Sequence, residues 1–116
     1  MGKRQRRRDR PTAPTSRYTD PEGNALTLRG SMTPATRRAH ADVLAGSPLS
    51  QEDAWQRAAE FLFERLAVRW EISGLPIERQ NELLARYRVA SVDERAWIRS
   101  VLRSHLAEHF PDVEAP

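Results

Sequence analysis

Two histidines and a glutamate near the C-terminal end have the spacing of a metal-binding helix face. His105 and His109 are four residues apart, so a helix places both imidazoles on one side. Neutral imidazole is a ligand for zinc, and a carboxylate beside the metal acts on a bound water. Glu108 lies one position before the second histidine and fits that role. Metal-assisted hydrolysis is therefore the first chemistry to weigh.

The surrounding sequence argues against a metal site at these residues. The pattern H-x-x-E-H is that of the inverzincin metallopeptidases, whose third ligand comes well downstream, and only seven residues follow His109 here. On a helical wheel both histidines fall among Ile98, Val101 and Leu102, a position typical of side chains packed between helices or against a partner. The sequence predicts no metal and no cofactor.

A block of basic residues opens the chain. Residues 1–17 carry seven basic side chains and one acidic side chain, a net charge of +6, whereas the remainder has a net charge of −3. The predicted nucleic-acid-binding residues are Lys3, Arg4, Arg6, Arg7, Arg8, Arg10 and Arg17. A Pro/Thr/Ser segment follows the block, and the stretch lacks apolar residues to form a core. Residues 1–17 are therefore predicted to be a disordered basic arm.

The composition of the arm predicts the kind of contact it makes. A flexible cationic segment binds nucleic-acid phosphates by releasing counterions, and six or seven contacts give a salt slope of roughly −5 to −6. No aromatic residue interrupts the basic run, so the arm has no means of stacking on bases. The alternatives are a solubilising tail and a segment that grips an acidic protein.

A second set of arginines could contact nucleic acid. Arg95, Arg99 and Arg103 recur every four residues and form a stripe on one predicted helix. A helix-turn-helix would place this stripe in a major groove. However, the connecting turn has no glycine, and acidic residues crowd the end that would meet the bases. A solvated arginine face is the simpler interpretation.

Composition narrows the class of protein further. There are no cysteines among the 116 residues, which excludes disulfides, thiolate metal sites and cysteine nucleophiles. No glycine-rich phosphate loop, nucleophile elbow or paired-carboxylate motif is present, so we expect no enzyme activity. There is no signal-peptide pattern and no apolar run long enough to cross a membrane. The interpretation is a cytoplasmic protein, and the strong preference for Arg over Lys indicates GC-rich bacterial coding.

The elements that must position these residues are mainly helical. The sequence predicts a short β-hairpin at approximately 18–29 and a compact bundle of four helices at approximately 34–45, 51–72, 77–88 and 92–109. One helical domain with an N-terminal hairpin then occupies residues 18–110, and residues 111–116 form a frayed tail. The hairpin follows from the turn sequence Asp20-Pro-Glu-Gly23 and the alternation Leu26-Thr-Leu28.

Local capping signals and one apolar face define the helices. Thr33 before Pro34, and Ser50 three residues before Asp53, mark two helix starts. Ser91-Val-Asp-Glu94 is a full capping box. The apolar face of the long second helix consists of Trp55, Ala59, Leu62, Phe63, Leu66 and Trp70. Arg65 and Arg69 lie on its other side, where they either pair with acids, reach water or mark a partner surface.

Two functions from different classes remain. The first is a small helical accessory or regulatory protein that contacts nucleic acid, DNA or RNA, without sequence preference through its arm. The second is an interaction module whose helices dock onto another protein, the arm only adjusting solubility or location. The arm favours the first and the acidic body the second. Oligomeric state is left open.

Overall fold

The computed structural model describes residues 14–46 and 50–116, so most of the predicted arm lies outside the described residues. Within this part of the chain there are four strands and four helices, so the mainly helical class holds only in part: the sheet is larger than the predicted hairpin and is mixed with the helices. In chain order they are β1 Thr15–Thr19, β2 Ala25–Arg29, α1 Pro34–Ala45, α2 Gln51–Leu66, β3 Ala67–Ile72, β4 Leu75–Ile77, α3 Gln80–Arg88 and α4 Val92–His109.

The predicted hairpin is present and longer than expected. Strands β1 and β2 pair in antiparallel register from Thr15↔Arg29 to Thr19↔Ala25. At the turn, one carboxylate oxygen of Asp20 accepts hydrogen bonds from the backbone N–H groups of Glu22 (2.8 Å) and Asn24 (2.9 Å). Gly23 takes a φ of 87°, which favours glycine. Because β1 begins at Thr15, Arg17 belongs to the sheet rather than to the arm.

The prediction of one helix over 51–72 is wrong beyond Leu66. Residues 67–72 form β3, which pairs with β2 on one side and β4 on the other, giving an antiparallel sheet in the order β1-β2-β3-β4. Ser73 (φ 52°) and Gly74 (φ 79°) make the tight turn into β4, and two successive residues with positive φ are typical of a two-residue hairpin loop. The third helix, predicted over 77–88, therefore starts only at Gln80.

The other helix predictions rest on local signals and are confirmed. The Thr33 hydroxyl accepts from the N–H of Thr36 at 3.1 Å, with Pro34 in the first helical position of α1. The Ser91 hydroxyl accepts from the N–H of Glu94 (3.1 Å), while the Glu94 carboxylate accepts from the N–H of Ser91 (2.8 Å). This reciprocal pair fixes the start of α4.

The core joins the sheet to the helices. Leu62 and Leu66 of α2 are fully buried, as are Leu26 and Leu28 on the inner face of β2. The ring of Phe63 stacks on that of Tyr87 with centroids 4.7 Å apart and meets the edge of Trp70 at 5.6 Å. Trp70 thus reaches the core from a strand, where the sequence predicted a helix.

The C-terminal residues, for which fraying is predicted, lie against α1 and α4. Nε2 of the buried His40 donates to the carbonyl oxygen of Glu114 at 2.7 Å. A guanidinium N–H of Arg103 donates to the carbonyl oxygen of Pro116 at 3.1 Å. Val113 and Ala115 pack against the core. These contacts join the first and last helices.

Candidate functional site

His105 joins α4 to the hairpin. Its ring is fully buried, with Nε2 at 2.8 Å from the carbonyl oxygen of Arg29 and Nδ1 at 2.8 Å from the hydroxyl of Tyr18. A carbonyl oxygen only accepts, so Nε2 carries the hydrogen. In the neutral ring Nδ1 then accepts from the Tyr18 hydroxyl.

His109 makes a second link to the same strand. Its Nε2 lies 3.0 Å from the hydroxyl of Ser16, and its ring centroid is 4.5 Å from that of His105. Ser16 and Tyr18 are alternate residues of β1, so both point to the inner face of the sheet. We call these four residues, Ser16, Tyr18, His105 and His109, the histidine clasp.

Burial shifts the pKa values of two clasp residues, His105 and Tyr18. Loss of solvent lowers the pKa of His105, and the charge of His109 lowers it further, while the hydrogen bond to Arg29 and the charge of Glu108 oppose the shift. Burial also raises the pKa of Tyr18. The structure therefore favours a neutral His105 beside a neutral Tyr18.

The contacts of His105 and His109 show whether their ring nitrogens are available to bind a metal ion. Both ring nitrogens of His105 are at hydrogen-bond distance from protein groups, and the Glu108 carboxylate is 3.9 Å from Nε2 of His109. Residues 14–46 and 50–116 contain no group of three or more His, Asp or Glu side chains that could hold a metal ion. His105 and His109 act here as links between elements.

Ser16 and His109 are also as close as a nucleophile and its base. Such a pair needs a third group that orients the base through its other nitrogen. In the part of the chain that the structure describes, Nδ1 of His109 has no hydrogen-bond partner, and Glu108 approaches Nε2 instead. The arrangement holds β1 on α4, and none of the residues at 14–46 and 50–116 orients His109 as the third member of a catalytic triad would.

The outer face of the sheet carries the cationic side chains next to the arm. Arg17 is in register with Thr27, which is in register with Arg69, so the three residues form a row across β1, β2 and β3. A guanidinium nitrogen of Arg17 lies 3.7 Å from the Glu71 carboxylate, a long ion pair between an exposed arginine and a half-buried acid. Pairs of this kind contribute little to stability, which leaves Arg17 free to exchange partners.

Arg29 and Arg69 differ in their surroundings. Arg69 contacts two carboxylates, Glu71 at 3.3 Å and Glu78 at 2.8 Å, so its charge is neutralised within the sheet. Arg29, opposite Thr15 at the end of β2, is exposed and has no ion pair with any described residue. The sequence did not predict the role of Arg65. Its guanidinium lies 5.2 Å from the centroid of the Phe61 ring. We define Arg17 and Arg29 as the arm root.

The arginine stripe of α4 is directed at neighbouring elements. Arg95 donates to the carbonyl oxygen of Arg88 at 2.6 Å. Arg99 donates to the Glu52 carboxylate at 3.0 Å and lies over the Trp55 ring. Arg103 donates to Pro116, as described above. A recognition helix needs its base-contacting side chains free, and these three are engaged.

A groove between α2 and α4 is the feature that sequence reasoning missed. Its volume is about 490 Å³. We call it the α2–α4 groove; its lining residues include Glu52, Asp53, Ala59, Glu60, Tyr87, Val92, Arg95, Ala96 and Arg99. Val92 at its edge is 83% exposed, and Val89, three residues earlier, is 75% exposed. The only sign of this surface in the sequence is that the two valines stand next to the capping box of α4.

Comparisons with known proteins give no relative from which a role can be transferred. No protein-family model matches the sequence, and searches of curated proteins and of solved structures found no significant match. Among the helices of the described residues, none combines the length and apolar character needed to cross a membrane.

Proposed function

We propose that this protein is a small nucleic-acid-associated accessory or regulatory protein that contacts phosphates without sequence preference. The basic block, Lys3–Arg10, makes the main contact, and the arm root extends it onto the sheet. Binding is electrostatic, so it is steep in salt and tolerant of base sequence.

The observation that supports this proposal is how the arm is attached. The chain enters the fold through edge strand β1, and the first strand pair, Thr15↔Arg29, places Arg29 beside the point of entry. Arg17 follows on the exposed face, with only the long contact to Glu71. Cationic side chains therefore continue from the arm onto one face of the sheet, and the histidine clasp anchors the opposite face.

The experiment compares two double variants of equal charge in full-length protein. Arg17→Gln with Arg29→Gln removes the arm root, whereas Arg38→Gln with Arg79→Gln removes two exposed arginines elsewhere in the described chain. Fluorescence anisotropy with mixed-sequence DNA and RNA gives affinity against salt. We expect the first pair to reduce the steepness of the log–log slope by about 1 for each phosphate that is no longer neutralised. An equal effect of both pairs would contradict a role for the arm root.

A second candidate function is protein–protein interaction through the helices. The specific observation in its favour is that Val92, which lines the α2–α4 groove, is exposed, as is Val89 three residues earlier. Apolar side chains next to a groove are typical of docking surfaces. The two functions use different parts of the molecule and are compatible.

A further inference from the structure

We propose that the histidine clasp is a pH-sensitive switch: when His105 and His109 are both protonated, β1 leaves α4 while the helices stay folded. The strand that moves is the one that follows the basic arm. The release of β1 does not depend on the nucleic-acid function. Only its consequence for binding, given below, rests on that proposal.

Strand β1 depends on the clasp for its position against the helices. It lies at the edge of the sheet, with β2 as its neighbouring strand. Its exposed face contributes the long ion pair between Arg17 and Glu71. Its two inward side chains, Ser16 and Tyr18, both end at histidines of α4. Strand β2, in contrast, is paired on both sides and buries two leucines in the core, so loss of the clasp loosens β1 before β2.

The hydrogen bonds of His105 fit the neutral ring. Nε2 donates to the carbonyl oxygen of Arg29, and Nδ1 accepts from the hydroxyl of Tyr18, both at 2.8 Å. A proton on Nδ1 turns this acceptor into a donor, so it meets the hydrogen of the Tyr18 hydroxyl. The hydroxyl must rotate to accept, and its own hydrogen then needs a new partner in a partly buried place. Protonation therefore weakens the link between Tyr18 and His105.

A charge on His109 makes the charged form of His105 still less favourable. The centroids of the two rings are 4.5 Å apart, and the ring of His105 has no exposed surface. Two positive charges at this distance repel each other, and more strongly where water is excluded. Opening the clasp lets water reach both rings. Protons therefore bind the open state more tightly than the closed state, which is the condition for a switch.

The acid next to the clasp does not cancel this repulsion. The Glu108 carboxylate is exposed and lies 3.9 Å from Nε2 of His109. It favours the charged form of His105, but burial and the charge of His109 act in the opposite direction, and burial has the largest effect on the pKa of His105. The closed clasp is therefore present above the ordinary pKa of 6.5 and is lost as the pH falls through the lower pKa of the folded state.

The groups that face His105 from other elements also fail to stabilise its charged form. From β1 comes the hydroxyl of Tyr18, whose pKa burial raises, so it stays neutral. From β2 comes the carbonyl oxygen of Arg29, which the neutral ring already binds. From α1, the guanidinium of Arg37 lies 5.4 Å from the centroid of the Phe110 ring, which is 5.9 Å from that of His105. Arg37 adds a positive charge on that side.

Helix α4 has attachments that do not involve β1. Its capping box at Ser91 lies at the end away from the clasp. Ile98, Leu102 and Leu106 are buried in the core. A guanidinium N–H of Arg103 holds the C-terminal residues through the carbonyl oxygen at 3.1 Å. The helix therefore keeps its place when β1 leaves, and the opening is local.

Release of β1 transfers Arg17 from the sheet to the basic arm, while Arg29 stays on β2. On the proposed function, the arm gains a cation that no longer faces Glu71 and can follow a phosphate backbone. Nucleic-acid affinity should then rise in mild acid.

The test follows the full-length protein by NMR between pH 7.5 and 5. Ring signals give the titration of His105, and backbone order parameters report the mobility of each amide. We expect the order parameters of Ser16 and Tyr18 to fall from about 0.85 to below about 0.6 with the midpoint of the His105 titration, while that of Leu102 stays near 0.85. Three results would overturn the switch: an ordered β1 after His105 is protonated, an equal loss of order at Leu102, or a His105 ring still neutral at pH 5.

Matched variants show whether His105 carries the effect. His105→Gln cannot be protonated, and its amide can still donate to the carbonyl oxygen of Arg29. His40→Gln changes another buried histidine, one that is bonded to the C-terminal residues. We expect β1 to stay ordered at pH 5 in His105→Gln and to be released in His40→Gln as in the unmodified protein. Release in His105→Gln, or equal behaviour of the two variants, would contradict the assignment.

A third variant covers the case in which His105→Gln does not fold. Tyr18→Phe removes the hydroxyl and leaves both histidines, so the closed state is weaker and β1 should be released at a higher pH than in the unmodified protein. Release at the same or a lower pH would count against the switch.

Failure of the switch and failure of the nucleic-acid function can be told apart. The order parameters are measured without DNA, and anisotropy with mixed-sequence DNA is measured separately at the same pH values. Release of β1 in a protein that does not bind DNA supports the switch and removes the proposed function. DNA binding by a protein whose β1 stays ordered at pH 5 removes the switch and leaves the function.

Discussion

The hydroxyl of Tyr18 lies 2.8 Å from Nδ1 of His105, although 87 positions separate the two residues in the sequence. Tyr18 lies in the strand that follows the basic arm, and His105 lies in the last helix. The second nitrogen of His105 is bonded to Arg29 of the neighbouring strand. One buried imidazole therefore ties both strands of the hairpin to α4.

The clasp predicts that stability falls in mild acid. Burial lowers the pKa of His105 below its ordinary value of 6.5, so the fold favours the neutral ring. The stability from this residue is fully present above pH 6.5 and is lost as the pH falls through the lower pKa of the folded state. Urea unfolding between pH 7.5 and 5 measures it. His105→Gln, which cannot be protonated, should flatten this part of the profile, and an unchanged profile would contradict the assignment.

Leu62 should be among the most sensitive positions of the core. It has no exposed surface, so Leu62→Ala should lower the free energy of unfolding by about 2–5 kcal/mol. Leu75, which is 72% exposed, is the matched control, and Leu75→Ala should cost less than about 0.5 kcal/mol. Similar losses in both variants by chemical denaturation would mean that the core is assembled differently.

The capping box at the start of α4 should contribute measurably to stability. Ser91→Ala removes the hydroxyl that accepts from the N–H of Glu94, at a cost of about 1 kcal/mol. Ser104→Ala, at an exposed position of the same helix, is the control and should be nearly neutral. Thermal melts of the two variants compare them, and equal melting temperatures would count against the cap.

The arginine stripe should matter for folding more than for nucleic-acid binding. Arg99→Ala removes the ion pair to Glu52 and the contact with Trp55, so we expect a lower melting temperature. Affinity for mixed-sequence DNA should change little, because the guanidinium already has internal partners. A large loss of affinity with an unchanged melting temperature would instead support groove recognition by α4.

Local signals in the sequence predicted the features that depend on near neighbours. Ser91 and Glu94 are three residues apart, and so are Thr33 and Thr36. This spacing is enough to predict the two helix N-caps from the sequence. Trp70 is a residue for which local signals gave the wrong prediction. It continues the apolar face of α2 at helical spacing, and this periodicity does not show that the helix ends at Leu66. Its place in β3 depends on pairing with Leu26, 44 positions away, and on the turn at Ser73-Gly74.

The candidate site also has features that the sequence predicts and features that it does not. The basic block is visible as composition, and the proximity of His105 and His109 follows from their spacing. Their partners Tyr18 and Ser16 come from the other end of the chain, and no local pattern marks them. The α2–α4 groove forms between two helices that β3, β4 and α3 separate along the chain. The periodicity of the sequence does not determine how these two helices pack.

The central proposal, nucleic-acid contact through the arm, is tested most directly by deleting residues 1–10. This removes six of the seven predicted arm contacts and leaves the described fold intact. Anisotropy titrations with mixed-sequence DNA should give a log–log salt slope that is shallower by roughly 5 for the deletion than for the full chain, because six contacts are removed while Arg17 and Arg29 remain. The melting temperature should not change. Undetectable or salt-independent binding by the full chain, or undiminished binding by the deletion, would contradict the proposal.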